Sequence, residues 1–273
     1  MNYFIYLIIF IFGLLIGSFI NCLIYRLHLK KTFVHGRSFC PHCQHQLAWY
    51  DNLPLISYLL LKAKCRHCKK TISRQYPIVE LITGILFLIV FTHQFAQVDF
   101  NVLMFSCFHV LMLIRNWLFT AFLIIIFLYD LKYYLILDKV IIPAIVITLI
   151  FNIALNIQYQ ISNIWNYLGG LFLAALIAGG FFLLQFIVSK GKWIGGGDIR
   201  LGVLMGLMLG WPNILTALIL GYLIGSIIGV GLIIFGKKKL KSQVPLGTFL
   251  TVSTFVALLW GLQIIDWYLS IVF

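Results

Sequence analysis

Long apolar runs separated by short polar intervals dominate the chain. A membrane-spanning helix needs about 20 apolar residues, and runs of that order lie at 3–24, 77–93, within 102–129, and at 140–157, 166–188, 213–235 and 245–265. The apolar stretch 201–235 is too long for one span, and Trp211-Pro212-Asn213 interrupts it, because proline lacks an N–H and restricts the residue before it. It therefore reads as a short helix over 201–211 and a full one from 213 onward. No basic region precedes the first run and no small-residue cleavage site follows it, so it reads as a helix rather than a signal peptide. The pattern predicts an all-α polytopic membrane protein with about eight transmembrane helices. The longest polar interval, 26–76, is expected to form a small loop domain between a first transmembrane helix (1–25) and a membrane-embedded core (77–273).

Composition agrees with this pattern. Of 273 residues, 62% are hydrophobic and 10% charged, whereas soluble domains carry about 25% charged residues. A soluble globular enzyme, a disordered chain and a disulfide-stapled secreted domain are excluded. Charge adds a map. The net charge is +13, from 20 Lys and Arg against seven Asp and Glu. Basic proteins bind nucleic acids, but here the cations cluster between apolar runs, as the positive-inside rule describes for cytosolic loops. Ten lie between Arg26 and Arg74, and four more are Lys237, Lys238, Lys239 and Lys241. The lipid bilayer, and no nucleic acid, is the expected partner. With 26–76 in the cytosol and one crossing per span, every basic cluster falls inside, and Arg115 is the one stray. This requires 102–129 to cross once, its first part lying at the outer interface and its second part spanning. The expected location is a cytoplasmic (inner) membrane.

The cytosolic interval carries Cys40-Pro41-His42-Cys43 and, after 21 intervening residues, Cys65-Arg66-His67-Cys68. Two Cys-x-x-Cys knuckles supply four thiolates for a tetrahedral zinc-ribbon-like site. Disulfides are the competing reading, and a reducing cytosol disfavours them. Cys40, Cys43, Cys65 and Cys68 are thus expected to bind a structural Zn²⁺, closed by four sulfurs and stabilising a loop too small for its own apolar core. His42, His45 and His67 flank the thiols as solvated or supporting groups. Cys22 and Cys107 lie in apolar runs and read as packing residues.

Seven carboxylates can be taken one by one. Asp99 and Asp266 map outside, Asp138 reads as a helix cap, and Asp51 as a solvated turn acid. Glu80 is one turn into an apolar helix, where it would pair with Arg74, favour the helix N-terminus or contact substrate. Asp130, in Phe127-Leu128-Tyr129-Asp130, and Asp198, after Gly195, Gly196 and Gly197, map to the same cytosolic boundary. Each alone reads as a cap or as a partner for Lys132 or Lys192. Brought together, they cannot both ionise easily, which is the acid–base arrangement of aspartic proteases. The glycines would admit a close, extended peptide.

These residues, taken in order, resemble the type IV prepilin peptidases, membrane aspartic proteases of the Gly-x-Gly-Asp kind. The resemblance spans nearly the whole chain. Its carriers are Gly17-Ser18-Phe19-Ile20-Asn21, the two Cys-x-x-Cys pairs, Asp51-Asn52-Leu53-Pro54, Tyr76-Pro77-Ile78-Val79-Glu80-Leu81, Asp130, the Gly-x-Gly-Asp ending at Asp198, and Val244-Pro245-Leu246-Gly247. The chain departs from the family in having Leu137-Asp138 where Pro-Asp is common, and in a longer stretch from Tyr76 to Asp130.

The resemblance implies a catalytic pair, Asp130 and Asp198, that cuts the leader from prepilin or pseudopilin precursors at the cytosolic face. It also implies N-methylation of the new N-terminus with S-adenosylmethionine, an activity associated with members that carry the cysteine loop. Gly195, Gly196, Gly197 and Glu80 are candidate substrate contacts. No glycine-rich βαβ nucleotide motif is present, so methyl transfer rests on the resemblance alone. An ion-coupled transporter would place its acids deep within spans, and a zinc-ribbon membrane scaffold would not need the aspartates. A presenilin-like protease shares Tyr-Asp and Gly-x-Gly-Asp but lacks the cysteine loop.

Overall fold

In the computed structural model, the described residues are 3–30, 38–95, 107–159, 163–236 and 244–272. They form nine α-helices and one 3-10 turn, and among them no strand occurs beyond two isolated bridges. In chain order the helices are α1 (Tyr3–His28), α2 (Ile56–Leu60), α3 (Gln75–Phe95), α4 (Cys107–Tyr133), α5 (Asp138–Tyr159), α6 (Ile164–Ser189), α7 (Gly196–Leu209), α8 (Asn213–Ile234) and α9 (Leu246–Val272), with the 3-10 turn at Trp49–Asn52. Among the described residues seven helices are long and apolar enough to cross a membrane: α1, α3, α4, α5, α6, α8 and α9. The chain is an α-helical multi-pass membrane protein. α7 is the eighth of the expected membrane segments, and its 14 residues reach only about 21 Å, short of a core of about 30 Å.

The described residues of the segment 102–129 belong to α4, which is continuous for 27 residues, about 40 Å, a length beyond a core of about 30 Å that a bilayer accommodates by tilt or protrusion. Arg115, the stray of the charge map, is absorbed internally. Its guanidinium donates to Asn152 Oδ1 at 3.3 Å and Asn116 Oδ1 at 3.2 Å and lies over the Phe119 ring. Asn152 passes the connection on to the Leu207 carbonyl, and the Tyr167 hydroxyl donates to Asn152. A buried cation surrounded by amide and hydroxyl dipoles needs no aqueous loop. The sequence also reads the short helix as starting at 201, whereas α7 begins at Gly196 and so contains Asp198 in its first turn. Asp99 lies outside the described residues.

The chain packs as two compact units, Met1–Phe105 and Ser106–Phe273. In the first unit α1 lies against α3. A Cβ on Gly13 would meet Gly84 Cα at 2.7 Å, and one on Gly17 would meet Glu80 Cα at 2.7 Å. Small residues at these points let the two backbones approach, the usual device where lipid removes the hydrophobic drive for helix pairing.

The second unit is a six-helix bundle in which α7 packs against α5, α6, α8 and α9. Of its residues, Leu201, Gly202, Leu204, Met205, Gly206, Leu207 and Met208 are buried. Its crossing with α6 is the closest contact: a Cβ on Gly206 would lie 2.3 Å from the Ala175 nitrogen, and one on Gly202 2.9 Å from the Ala178 carbonyl oxygen. Asn163 caps α6 by accepting the Trp165 N–H at 3.1 Å. α7 ends at Gly210, whose φ of +68° favours glycine.

Candidate functional site

Within the second unit, Asp130 and Asp198 come from helices far apart in sequence. Asp130 lies in the last turn of α4 and is 5% exposed. Its Oδ2 accepts the backbone N–H of Thr248 at 2.9 Å, and the N–H of Gly247 donates to the same carboxylate. Both donors sit in the first turn of α9, where helical N–H groups have no intrahelical partner and the dipole favours an anion. Gly247 has no room for a side chain: a Cβ there would lie 2.8 Å from Asp130 Oδ2 and 3.1 Å from Ile136 Cδ1.

Asp198 lies in the first turn of α7. Its Oδ2 accepts the N–H of Gly195 at 3.0 Å, and its own N–H donates to the Gly195 carbonyl at 3.2 Å, an N-terminal cap made from inside the helix. Asp198 is close enough to Asp130 for the two charges to interact. Ile136, between α4 and α5, fills the same region, since a Cβ on Gly197 would come within 2.8 Å of Ile136 Cβ. The three glycines therefore differ. Gly195 caps Asp198, Gly197 makes room for Ile136, and Gly196 faces open space. The expected lysine partners are replaced by backbone donors at both aspartates. Asp138 begins α5 and pairs with Arg200 of α7, an exposed pair that fixes orientation more than stability.

A polar pair that the sequence reading missed lies nearby. Gln185 on α6 and the Tyr222 hydroxyl on α8 exchange hydrogen bonds at 2.8 and 3.0 Å, and Tyr222 lies within electrostatic reach of Asp198. Its ring stacks on Phe182 at 6.4 Å and edge-on to Phe181 at 5.7 Å. The available signal was a glutamine and a tyrosine inside otherwise apolar spans.

The cysteine loop forms a second centre, in the first unit. The ligand atoms of Cys40, Cys43, Cys65 and Cys68 all lie within 4.8 Å of one another, with Cys40 Sγ and Cys68 Sγ at 3.9 Å. Four sulfurs at about 2.3 Å from a tetrahedral zinc stand about 3.8 Å apart, so the donor set fits that ion. The two knuckles are built alike. Cys40 N–H bonds the His45 carbonyl and Gln44 N–H the Cys40 carbonyl, while Cys65 N–H bonds Lys70 and Lys69 N–H bonds Cys65. Phe39 bridges Gln46 as Lys64 bridges Thr71, and the His45 and His67 rings lie tilted against each other with centroids 3.5 Å apart. The thiols differ in acidity. The Cys68 backbone N–H, with the His67 N–H and the Cys40 and Cys68 thiols, brings Cys65 down to about 7 against the opposing effect of burial. Cys68, despite the Lys70 N–H that would lower it, is pushed up to about 11 by burial and the three neighbouring sulfurs.

Asp51 corrects its sequence reading as a solvated acid. Its side chain is 4% exposed and pairs with Arg66 at 3.0 Å, whose guanidinium also covers the Tyr50 ring. Arg66 lies between the second pair of ligands, so the salt bridge ties the 3-10 turn to the knuckle. Glu80 accepts the Leu55 N–H at 2.9 Å rather than pairing with Arg74. It belongs to the first unit. Cys22 approaches Ser38 at 3.9 Å, and the side chain of Cys107 lies outside the described residues.

The site is a helical membrane bundle with two acids within electrostatic reach of each other, joined in sequence to a loop of four thiols close enough to hold a metal ion. Residues 11–94 match the bacterial peptidase A24 N-terminal domain, and residues 117–230 match the type IV leader peptidase family. Proteins named prepilin leader peptidase/N-methyltransferase align over almost the whole chain. The one from Aeromonas salmonicida is 30% identical, covering 96% of this chain and 93% of its own. The Bacillus subtilis protein is 30% identical over 96% and 97%, and that of Pseudomonas aeruginosa 29% over 94% and 91%. No solved structure matches. The chain belongs to the type IV leader peptidase family, which sets aside the transporter and scaffold readings.

Proposed function

We propose that this chain cuts the leader peptide from prepilin-like precursors, with Asp130 and Asp198 as its catalytic pair. The observation that carries the reading is their convergence. Two of seven carboxylates, 68 positions apart (198 − 130), meet in one membrane-embedded bundle, each steadied by backbone N–H groups. Two adjacent carboxyls hold one proton between them. The ionised member takes a proton from water, whose oxygen attacks the scissile carbonyl carbon, while the protonated member donates to the carbonyl oxygen. Collapse of the tetrahedral adduct breaks the C–N bond, and the proton gained from water passes to the leaving amine. Gly196 leaves space for the extended substrate backbone.

The site faces the cytosol of an inner membrane in this reading, supported by the basic loops that flank the aspartate-bearing helix ends. Residues 26–76 would form the zinc-bound loop domain and 77–273 the peptidase core. Cys40, Cys43, Cys65 and Cys68 hold Zn²⁺, which fixes the loop and takes no part in hydrolysis, since four sulfurs leave no open position. The relatives are also named as N-methyltransferases, and we extend that activity to this chain with S-adenosylmethionine as donor. The described residues assemble no strand and no glycine-rich βαβ turn, so no residue is assigned to that donor.

The test is purified protein in detergent, incubated with a prepilin with and without S-adenosylmethionine, the products weighed by mass spectrometry. Wild type releases the leader, and its product gains one methyl group when the donor is present. Asp130→Asn and Asp198→Asn each accumulate normally and release none. Wild-type cleavage by either variant refutes the pair.

A further inference from the structure

Glu80 is a buried carboxylate to which the proposed hydrolytic steps assign no role. It lies one turn into α3 and is 6% exposed. Its Oε2 accepts the Leu55 N–H at 2.9 Å, and the Ser18 side chain hydrogen-bonds to it as well. Neither partner is a cation. The ion pairs found among the described residues join Arg66 to Asp51 and Arg200 to Asp138 and do not reach Glu80. A buried carboxylate without a cation is costly, so its surroundings are complementary to a positive charge.

Asn21, on the face of α1 that opposes α3, is 4% exposed. Its Nδ2 donates to the Tyr76 carbonyl at 3.1 Å. That bond fixes which way the amide points, because turning it over would set two acceptors against each other. Oδ1 is consequently buried without a hydrogen-bond partner. Tyr76 and Glu80 are one turn apart on α3, and Gly17 and Ser18, one turn before Asn21, lie against Glu80 itself. The same short stretch of the α1–α3 contact therefore holds an unneutralised carboxylate and an orphaned carbonyl oxygen.

The group covering the carboxylate is strained. Leu55 has φ 58° and ψ −48°, and the Ile56 N–H turns back to the Pro54 carbonyl. This is a γ-turn of positive φ, rare for a residue with a side chain. Strain held against a buried charge marks a contact poised to exchange.

We infer that Glu80 and Asn21 form a binding site for a primary ammonium group, which displaces the Leu55 N–H from the carboxylate and gives Asn21 Oδ1 the donor it lacks. An ammonium carries a positive charge and three N–H donors, which match one carboxylate and one carbonyl. Under the proposed leader cleavage, on which the choice of ligand rests, two sources exist: the α-amine that cleavage creates on the shortened pilin, and a lysine side chain of the basic leader.

The experiment uses full-length protein in detergent micelles and three versions of one short apolar peptide: with a free α-amine, N-acetylated, and N-acetylated with an added lysine. Binding is measured by calorimetry. At least tenfold tighter binding of a version carrying an amine is expected, and the arm that gains identifies the source. Glu80→Gln, which keeps an acceptor for Leu55, loses that preference, Asn21→Leu weakens it severalfold, and Asp130→Asn retains it. Equal binding of all three peptides by wild type overturns the inference, whatever the variants do. So does a folded Glu80→Gln that keeps the preference. Because binding is read apart from hydrolysis, a wild type that cleaves prepilin yet ignores the amine refutes this site alone, and one that cannot cleave refutes the proposed function.

Discussion

Replacing Gly247 by alanine separates the geometry of Asp130 from the stability of the helix that holds it. The added methyl would lie 2.8 Å from Asp130 Oδ2, 3.1 Å from Asp130 Cγ and 3.1 Å from Ile136 Cδ1. Non-bonded atoms rest comfortably near 3.5 Å, so the carboxylate has to retreat by about half an ångström or more. Productive sites hold their groups to within about 0.5 Å, and a misplacement of about 1 Å costs about a hundredfold in rate. The expected loss in kcat is therefore about ten- to a hundredfold, or about 1.4–2.7 kcal/mol of barrier. Helix propensity points the opposite way: alanine is favoured over glycine by about 1 kcal/mol, and the crowded atoms are side-chain ends that can yield. The variant should accumulate and melt close to wild type while cleaving slowly. Gly229→Ala, where a Cβ meets nothing within 4 Å, is the control and should cleave at the wild-type rate. Prepilin cleavage under single-turnover conditions, alongside thermal unfolding of the same preparations, reads both quantities. Wild-type kcat for Gly247→Ala would refute the claim that this contact positions Asp130, and so would a rate loss matched by loss of folded protein.

The remaining predictions concern the metal loop and the core. Cys40→Ser should purify with little zinc by elemental analysis and show a loosened loop by limited proteolysis, and a full metal complement would contradict the four-thiol site. The Cys68 thiol at about 11 is protonated at neutral pH, so zinc entry expels its proton and apparent affinity should rise with pH, as a competition titration with a chelator would measure. A flat profile between pH 6 and 8 would count against this. Arg66→Ala leaves the buried Asp51 carboxylate unpaired, a loss of about 1–3 kcal/mol, and should speed zinc loss to a chelator; an unchanged rate would show that the salt bridge does not brace the knuckle. Gly206→Val drives a side chain into Ala175 backbone atoms and should abolish accumulation of folded protein, since overpacking a close crossing costs about 1–3 kcal/mol or more; normal expression would refute the close α6–α7 contact.

What the sequence discloses and what it hides follows from the range of the forces involved. Spans are legible because each is specified by its own contiguous residues, and the cysteine knuckles because two ligands of each pair sit within one turn of chain. The scarcity of acids singles out Asp130 and Asp198. Their support is not legible: the N–H donors of Gly247 and Thr248 are backbone groups 117 and 118 positions away (247 − 130 and 248 − 130), and every residue but proline has such a donor. The start of α7 is hidden because three successive glycines read as a loop, each costing a helix about 1 kcal/mol. At this helix end they are retained for the Asp198 cap and for Ile136. Asp51 looked solvated because nothing local reveals that Arg66, 15 residues on, folds over it. Tyr222 and Gln185 find each other only once α6 and α8 are packed.

Because Asp130 is held by main-chain donors at the start of α9, the information securing it is a phase rather than a residue type. Thr248 uses its hydroxyl on the Pro245 carbonyl, not on the aspartate, so drift at position 248 leaves the anchoring bond intact. Inserting or deleting one residue between Pro245 and Thr248 is another matter, because it turns every later residue of the helix by about 100° and carries both donors away from the carboxylate. Natural variation along this segment should therefore be rich in substitutions and nearly empty of length changes.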